Sequence, residues 1–379
     1  MKKKILIVGN ARSQHLINLA LKVKKYRAEI QLDIFDVSSN LSEVKNNPYN
    51  QVFYCNKSFP SIVYKLPFLG GVIRRSIDLK RAVRKIKGKY DLVNVHYVTL
   101  DAYFLWTELV KKSKTIMLSP WGSDVYRFRK SFFKKIKSVY DRCNYVSAPK
   151  IKFREDIIET FSVDGQKIVN LGFGSSVIDN ILLHKEVSRE EAKDKLQLKN
   201  NFVITCGYNA SNLQNHIQII NAIDQIRNQL DKNLFLILPM TYGGTKEYIQ
   251  QVESYLSERK IPHRILKDFL SDDKMVYLRK CSDVFIHAQP TDAFSGSVQE
   301  YLLTDTKVIN GKWTRYPDFE KFGIPYFLFN SFEELAKVIV DANHQKESLV
   351  SSKLKDFICE QAWNYKGKQW ADFYSSISE

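Results

Sequence analysis

Short apolar runs of strand length alternate with segments of helical period along nearly the whole chain, and this alternation is the strongest constraint on its fold. Most of the runs are almost continuously apolar, which is typical of parallel strands that are covered by helices on both faces. The pattern predicts an α/β fold built of doubly wound parallel sheets. The runs lie at residues 4–9, 30–37, 51–55, 91–97, 114–119, 144–149, 167–172, 201–207, 234–240, 263–269, 283–288, 307–311 and 326–329.

The order of these runs indicates two domains. The chain has 379 residues, which is too long for one ordinary core. A polar, loop-like stretch at residues 172–201 joins the seventh run to the eighth. We therefore expect an N-terminal domain at residues 1–180 and a C-terminal domain at residues 181–360. Open parallel sheets bind ligands beyond the carboxyl ends of their strands, so two such domains would face each other across a ligand-binding cleft.

The charge of the chain is unevenly distributed. The formal net charge is +17, and counting Lys and Arg against Asp and Glu gives +18 for residues 1–180 and −1 for residues 181–379. Two dense basic runs, at residues 73–90 and 126–142, lie in the first domain. One such run is usually a solvated helix face, but two indicate an anionic partner, either nucleic acid or an acidic membrane surface. The apolar residues of the second run favour an interfacial helix: Phe128, Phe132, Phe133 and Ile136.

Two further features of the sequence bear on location and metals. No apolar run approaches the roughly 18 residues of a transmembrane helix. The apolar part of "MKKKILIVGN" is too short for a signal peptide, so we interpret it as a first strand. The five cysteines are scattered and form no C-x-x-C pair, which predicts a reducing compartment and no zinc site.

Polar residues follow several of the predicted strands, and each has two interpretations. His96 is either a core histidine or a polar or basic group facing the cleft. Asp124, in "SPWGSD", either caps a helix, or binds a substrate or acts as a base. Asn209 and Asn212 are either turn residues or ligands for diphosphate oxygens, and His216 either packs or binds.

The stretch "TDAFSGSVQEYLL" places Asp292 eight residues before Glu300, with small residues between them. A carboxylate within an apolar helical pattern is costly unless it is paired or faces a ligand, which makes Glu300 the most informative position. The small residues would let the backbone approach a ligand, and the helix that follows would direct its N–H groups at phosphates.

These motifs resemble the nucleotide-sugar glycosyltransferases of GT-B architecture related to family 4, over nearly the whole chain. That class often carries E-G-F-G-x-P-x-x-E, where this sequence reads D-A-F-S-G-S-V-Q-E. "WGSD", "DLVNVHY", "KIVNLGFGSSVID" and "LKDFLSDDKMVYLRKCSDVFIHA" also resemble segments of the class. The loops "GYNASNLQNH" and "LPMTYGG" look more like bacterial fucosamine transferases that act on lipid-linked intermediates of surface polysaccharides.

The resemblance implies roles for these residues. Glu300 would hold the donor ribose, and Asp292 with the backbone of Phe294–Ser297 would face the sugar and diphosphate. Residues 361–379 would form a helix that crosses back onto the first domain. The class has an Arg and a Lys near the first loop of the donor domain, and this chain has neither there. The diphosphate would then rely on N–H groups, loop amides and Lys267 or Arg315.

The sequence therefore predicts a GT-B enzyme with two Rossmann-like doubly wound domains that face a cleft. We expect it to move a sugar from a nucleotide-diphosphate donor to a lipid-linked glycan acceptor, peripherally on the inner face of the cell membrane. We expect no cofactor, no metal and no nucleic-acid partner. The predicted catalytic residues are Asp124, His96 and Asp292. The predicted donor-binding residues are Glu300, Phe294, Ser295, Gly296, Ser297, Asn209, Asn212, His216, Tyr242, Gly243 and Lys267.

Two alternatives remain open. A nucleotide-sugar 2-epimerase could share the fold, because fold does not fix chemistry. Unlike a transferase, it would need no second substrate. A nucleic-acid-binding protein would account for the basic half, but the sequence shows no helix-turn-helix, zinc or RRM motif.

Overall fold

The computed structural model describes residues 3–38, 42–56, 71–230, 233–292 and 294–377. These residues divide into two compact units. Unit 1 comprises residues 1–174 and 363–379, and unit 2 comprises residues 175–362.

Unit 1 is built on a seven-stranded parallel sheet with the order β3-β2-β1-β4-β5-β6-β7. Its strands are β1 (Lys4–Gly9), β2 (Gln31–Asp36), β3 (Gln51–Tyr54), β4 (Leu92–His96), β5 (Ile116–Ser119), β6 (Tyr145–Ser147) and β7 (Ile168–Val169). Its helices are α1 (Gln14–Tyr26), α2 (Gly71–Arg84), α3 (Leu100–Leu109), α4 (Ser123–Tyr126), α5 (Phe133–Arg142), α6 (Ile151–Phe161) and, at the end of the chain, α16 (Trp363–Ser376). The strand order reverses between β1 and β4, where doubly wound sheets bind ligands.

Unit 2 is built on a six-stranded parallel sheet with the order β10-β9-β8-β11-β12-β13. Its strands are β8 (Phe202–Cys206), β9 (Leu234–Pro239), β10 (His263–Leu266), β11 (Val284–His287), β12 (Lys307–Gly311) and β13 (Phe327–Phe329). Its helices are α7 (Ser176–Leu183), α8 (Arg189–Lys195), α9 (His216–Ile226), α10 (Lys246–Glu258), α11 (Asp272–Cys281), α12 (Gly296–Leu303), α13 (Pro317–Glu320), α14 (Phe332–His344) and α15 (Ser352–Cys359). Here the reversal lies between β8 and β11.

The predicted fold class is confirmed. Each of the thirteen apolar runs contains one strand, and every strand pairing in both sheets is parallel. The central strands are buried along nearly their whole length, as β4 and β11 show. Their mostly apolar sequence therefore indicates burial by helices on both faces of each sheet.

The C-terminal helix α16 completes the core of unit 1 by packing against α1. Trp363, Trp370 and Tyr374 are buried there, as expected for packing residues. Trp370 Nε1 donates to the carbonyl of Gly172 (2.9 Å), and Asn94 Nδ2 donates to the Tyr374 hydroxyl (2.9 Å). Burial of large aromatic groups with satisfied polar atoms stabilises this return of the chain to unit 1.

Two basic helices of unit 1 lie on either side of α3. Helix α2 and helix α5 both pack against it. The helix between them carries Asp101, which pairs with Arg75 (2.8 Å), and Glu108, which pairs with Arg84 (2.7 Å). Part of the basic charge read from the sequence is thus neutralised within the unit. Among the residues that the structure describes, no helix has the length and apolar character needed to cross a bilayer.

Candidate functional site

Unit 2 contains a cavity of about 330 Å³ that lies next to the switch in strand order. Loops after β8, β9 and β10 form its walls together with α11 and the start of α12. Many of the residues predicted to bind donor come together here. The lining residues that matter below are Tyr208, Tyr242, Phe269, Arg279, Asp292, Phe294, Ser295, Gly296, Ser297 and Glu300.

Glu300 is buried in the wall of this cavity as one half of an ion pair. Its Oε2 atom accepts from Arg279 Nε (2.9 Å), and its Oε1 atom accepts from Ser175 Oγ (2.9 Å). A carboxylate offers about four lone-pair sites, so two of them remain for a ligand. The ion pair with Arg279 offsets the cost of burying this charge. A carboxylate within an apolar helical pattern needs such a partner.

Arg279 is a residue of the site that sequence reasoning missed. Its Nη1 atom donates to the Tyr301 hydroxyl (2.9 Å), its guanidinium lies over the Tyr301 ring, and its Nη2 atom lies 3.4 Å from Ser297 Oγ. Burial alone would lower the pKa of Arg279, but Tyr301 and Glu300 raise it above its ordinary value. A cation between the buried residues Leu278 and Cys281 of α11 breaks an apolar pattern just as Glu300 does, and that break could have identified it.

The first turn of α12 lines the cavity and carries backbone N–H groups that have no acceptor within the helix. Ser295 caps the helix, and its Oγ atom accepts from the N–H of Val298. Gly296 and Ser297 are the first two helical residues, so their N–H groups have no acceptor within the helix. These N–H groups and the helix dipole suit an anion, and the guanidinium of Arg279, paired with Glu300, lies beside them.

Asp292 lies at the same edge, after β11. Its Oδ1 atom accepts from the N–H of Phe294 (3.0 Å), and its Oδ2 atom accepts from the hydroxyl of Tyr208 (3.3 Å). The Nε2 atom of His287 is buried without a hydrogen-bond partner in the described structure and lies 3.6 Å from Asp292 Oδ2. The carboxylate is thus fixed in place with lone pairs to spare.

Two exposed aromatic rings stand in the wall of the cavity. Tyr242 and Phe269 are stacked, with ring centroids 6.0 Å apart and planes within 7° of parallel. Phe269 is 76% exposed, an unusual state for a phenylalanine in a cavity wall. A flat apolar surface of this kind binds flat aromatic ligands such as nucleobases. Sequence reasoning selected Tyr242 and missed Phe269, because the chain brings these two loops together only in the folded sheet.

Five of the predicted donor-binding residues do not line this cavity. Asn209 Oδ1 accepts from the N–H of Ser211 (2.9 Å), and Asn212 begins a short 3₁₀ turn, so both shape the loop. Gly243 has a φ of +83° and opens a turn that packs against Asn209. His216 is buried, with its Nδ1 atom 3.2 Å from the Tyr248 hydroxyl.

The two cations expected to hold a diphosphate are engaged elsewhere. Lys267 pairs with Glu253 on the surface (2.8 Å), and Arg315 is held by both oxygens of Glu320. Of the described residues that line the cavity, Arg279 is the one Lys or Arg. The chain thus places its cation on α11 rather than in the loop after β8.

Asp124 of unit 1 is buried at the carboxyl end of the sheet and joins two loops. Its Oδ2 atom accepts from the N–H of Val98 (2.7 Å), and its Oδ1 atom accepts from the N–H groups of Trp121 (2.8 Å) and Gly122 (3.0 Å). Burial raises the pKa of Asp124, against backbone hydrogen bonds that lower it. Asp124 is the second residue of α4 and not its N-cap, so these contacts join the loops and do not cap the helix, while a role as general base stays a prediction.

His96 is buried at the end of β4 among aromatic rings. Trp121 Nε1 donates to its Nδ1 atom at 3.5 Å, and its Nε2 atom has no partner among the described residues. Burial, with a further contribution from His15, lowers the pKa of His96 to about 3. The imidazole is therefore neutral at physiological pH, and acceptance at Nδ1 leaves the proton on Nε2 as an unused donor.

The neutral histidines predict a loss of stability in acid. Burial lowers the pKa of His216 to about 4, while an unfolded histidine titrates near 6.5. Below about pH 6.5, His96 and His216 bind protons in the unfolded chain but stay neutral in the folded protein. Each of the two histidines therefore lowers the free energy of unfolding by roughly 2 kcal/mol at pH 5. Urea unfolding at pH 7.5 and pH 5 measures this. His216→Gln should remove about half of the histidine contribution, and an unchanged pH dependence in that variant would contradict the assignment.

Comparisons with known proteins agree with this architecture. Residues 4–153 match the family model described as glycosyl transferase 4-like. A glycosyltransferase from Rickettsia africae has a TM-score of 0.72 at 18% identity, with 99% of this chain and 98% of that chain covered. Anabaena Alr3699/HepE in complex with UDP and glucose has a TM-score of 0.68 at 16% identity, with 99% and 100% covered.

A third similar structure is the lipopolysaccharide outer core galactosyltransferase WaaB, with a TM-score of 0.63 at 14% identity and 98% and 99% of the chains covered. A comparison with curated protein sequences finds no match. At these identities the structures show the fold. The chain therefore has the GT-B architecture of nucleotide-sugar glycosyltransferases, as the resemblance implied. Its first 153 residues carry the similarity to the glycosyl transferase 4-like family.

Proposed function

We propose that this protein is a glycosyltransferase that binds a nucleotide-diphosphate sugar in the cavity of unit 2 and transfers the sugar to a glycan acceptor. The observation that carries the proposal is the arrangement of three surfaces in one cavity. Tyr242 and Phe269 suit a nucleobase, Glu300 suits ribose hydroxyls, and the first turn of α12 with Arg279 suits a diphosphate. Because Anabaena HepE is similar in fold and was solved with UDP and UDP-glucose, uridine compounds are the first to test.

A thermal-unfolding scan with nucleoside diphosphates and nucleotide sugars tests donor binding. Ligand at about one hundred times its dissociation constant stabilises the folded state by roughly 2.7 kcal/mol. We expect one nucleotide class to raise the melting temperature. Failure of every nucleotide to do so, at millimolar concentration, would overturn the proposal.

Phe269→Ala provides a site-specific form of this test. Base–aromatic stacking contributes about 1–3 kcal/mol, so the variant should bind the nucleoside diphosphate about 5- to 150-fold more weakly, as measured by calorimetry. Leu183→Ala is the matched control, since Leu183 is 75% exposed in the same unit and does not line the cavity. Equal affinity in both variants would remove the aromatic pair from the site.

The chemistry distinguishes a transferase from the alternatives. A transferase releases nucleoside diphosphate in proportion to glycosylated acceptor, whereas an epimerase converts the donor without any second substrate.

We propose that the transfer is independent of metal, with Arg279 and the N–H groups of α12 stabilising the leaving diphosphate. Among the described residues, no group of three or more His, Cys, Asp and Glu side chains could hold a metal. Turnover that survives EDTA would support this, and loss restored by magnesium or manganese would contradict it.

We further propose that unit 1 binds a lipid-linked acceptor and docks on the anionic inner face of the cell membrane. Support comes from the exposed cations at the end of α2 and before and within α5, which flank α3. They are Arg81, Lys85, Lys87, Lys89, Arg127, Arg129, Lys130, Lys134 and Lys135. The aromatic contribution expected from sequence is not supported, because Phe128 and Phe133 pack on Phe161 and Ile136 is buried.

Co-sedimentation with vesicles tests the docking surface. Each cation near an anionic surface contributes about 1 kcal/mol, and the attraction weakens with salt. We expect binding to vesicles that contain anionic phospholipid, release at high salt, and no binding to neutral vesicles. Replacing Lys85, Lys87 and Lys134 by glutamine should weaken binding while leaving the melting temperature unchanged. Equal binding to neutral and anionic lipid, or tight salt-sensitive binding to DNA instead, would contradict the membrane role.

A further inference from the structure

Tyr97 of unit 1 has a strained backbone at the carboxyl end of β4. Its φ is +58°, in the left-handed region that bulky residues rarely adopt, and its side chain is 43% exposed. Burial therefore does not explain why a tyrosine occupies a position that asparagine or glycine would fill with less strain. Strain of this kind persists where surrounding contacts impose it, and it is concentrated at functional sites.

The surrounding contact is Asp124. One carboxylate oxygen accepts from the N–H of Val98 directly after Tyr97, and the other accepts from the N–H of Trp121. The same side chain thus holds the loop after β4 and the loop after β5 in register. As a consequence, the side chains of Tyr97 and Trp121 are in contact, with ring centroids 5.6 Å apart in an edge-to-face arrangement.

These two rings belong to an aromatic platform that consists of Tyr97, Trp121 and Phe173. Trp121 contacts Phe173 edge to face at 5.1 Å, and His15 stacks on Phe173 at 4.8 Å. Trp121 and Phe173 are half-buried, so each presents only part of its surface. The platform lies where the strand order of unit 1 reverses, the position at which such sheets bind ligands.

Polar groups are interleaved with the rings of the platform. His96, whose ring lies 5.7 Å from that of Phe173, has a buried Nε2 atom without a partner among the described residues. The Ser123 hydroxyl donates to the Tyr97 hydroxyl at 3.2 Å, which leaves the proton of the tyrosine hydroxyl free to donate. A ligand that satisfies this surface must therefore have an apolar face and hydrogen-bonding edges.

We propose that the aromatic platform binds a pyranose ring of the acceptor, with the apolar C–H face of the sugar on the rings and its hydroxyl groups on His96 and Tyr97. This inference rests on the proposed function, which requires an acceptor glycan. An isoprenoid chain would cover the rings but leave the buried nitrogen of His96 unsatisfied, at the cost of an unmade hydrogen bond. A sugar satisfies both kinds of surface.

Saturation-transfer NMR with methyl glycosides tests this site without knowledge of the acceptor. The probes are methyl glucoside, methyl galactoside and methyl N-acetylglucosaminide at millimolar concentration. We expect transfer to be strongest for the C–H protons of one ring face. Tyr97→Asn should weaken binding about three- to tenfold and leave the melting temperature unchanged or raised, because asparagine tolerates the left-handed backbone.

Two controls separate this role from a structural one. Tyr97→Phe keeps the ring but loses one hydrogen bond, so it should bind less tightly than the wild type and more tightly than Tyr97→Asn. Tyr365→Ala, at a tyrosine of α16 with the same 43% exposure, should change neither binding nor turnover. Absence of glycoside binding, equal binding by Tyr97→Asn, or displacement of the glycoside by farnesyl phosphate would each overturn the platform. Nucleotide binding by the wild-type protein in those cases would leave the proposed transferase function standing.

Discussion

Glu300→Ala should lower the free energy of unfolding by about 3–5 kcal/mol, because it leaves Arg279 as a buried charge without its carboxylate partner. The same change should weaken binding of the cognate nucleoside diphosphate, since the carboxylate's two remaining lone-pair sites would no longer accept ribose hydroxyls. Hydrogen bonds to charged groups contribute about 1.5–3 kcal/mol each. Urea unfolding and calorimetric titration measure the two effects separately.

A double variant separates stability from binding at this position. Arg279→Met combined with Glu300→Leu removes both charges and fills the space with apolar atoms, so most of the lost stability should return. Nucleotide binding should not return, because neither replacement can accept a ribose hydrogen bond or donate to a phosphate. Wild-type affinity in the double variant would show that the ion pair serves the fold alone.

His96→Ala should lower turnover about 10²- to 10⁴-fold while leaving donor affinity unchanged. The reason is that His96 lies in unit 1 with an unsatisfied Nε2–H, whereas the proposed donor cavity belongs to unit 2. His96→Gln supplies an amide donor but no titrating base. Recovery of part of the rate in that variant would identify a hydrogen-bond donor and not a base. Turnover near the wild-type level in His96→Ala would move the active site elsewhere.

Asp124→Asn should reduce turnover through a different cause. An amide nitrogen cannot accept, so the variant loses at least one hydrogen bond from Val98, Trp121 or Gly122. Such bonds to a charged group contribute about 1.5–3 kcal/mol each. We therefore expect a lower melting temperature together with slower transfer. A fully stable variant with slow transfer would instead favour the general-base role predicted from sequence.

The fold could be predicted from sequence because its cause is local and repeated. Buried parallel strands are covered on both faces, so strands such as β4 and β11 are mostly apolar runs that stand out from the periodic helices around them. The same reasoning placed loops such as 291–297 at the carboxyl ends of strands. It could not tell which loops converge, because that depends on strand order.

The site could be predicted only in part. Asp292, Phe294, Ser295, Gly296, Ser297, Glu300 and Tyr242 do line one cavity. Asn209, Asn212 and Gly243 do not line it; their contacts shape the loops around β8 and β9, and a role in donor binding stays a prediction. Arg279 lies within α11 and Phe269 follows β10, outside the loops whose residue types predicted ligand binding, although a buried Glu300 requires a cation.

The central claim is that the cavity of unit 2 holds the donor nucleotide, and amide hydrogen exchange with and without the nucleoside diphosphate selected by the thermal scan tests it most directly. We predict that bound nucleotide slows exchange at the first turn of α12 and in the loops that carry Tyr242 and Phe269. Residues 96–99 and 120–124 of unit 1 should change little, because the nucleotide alone lacks the acceptor. Protection confined to unit 1, or absent from α12 at saturating nucleotide, would contradict the account.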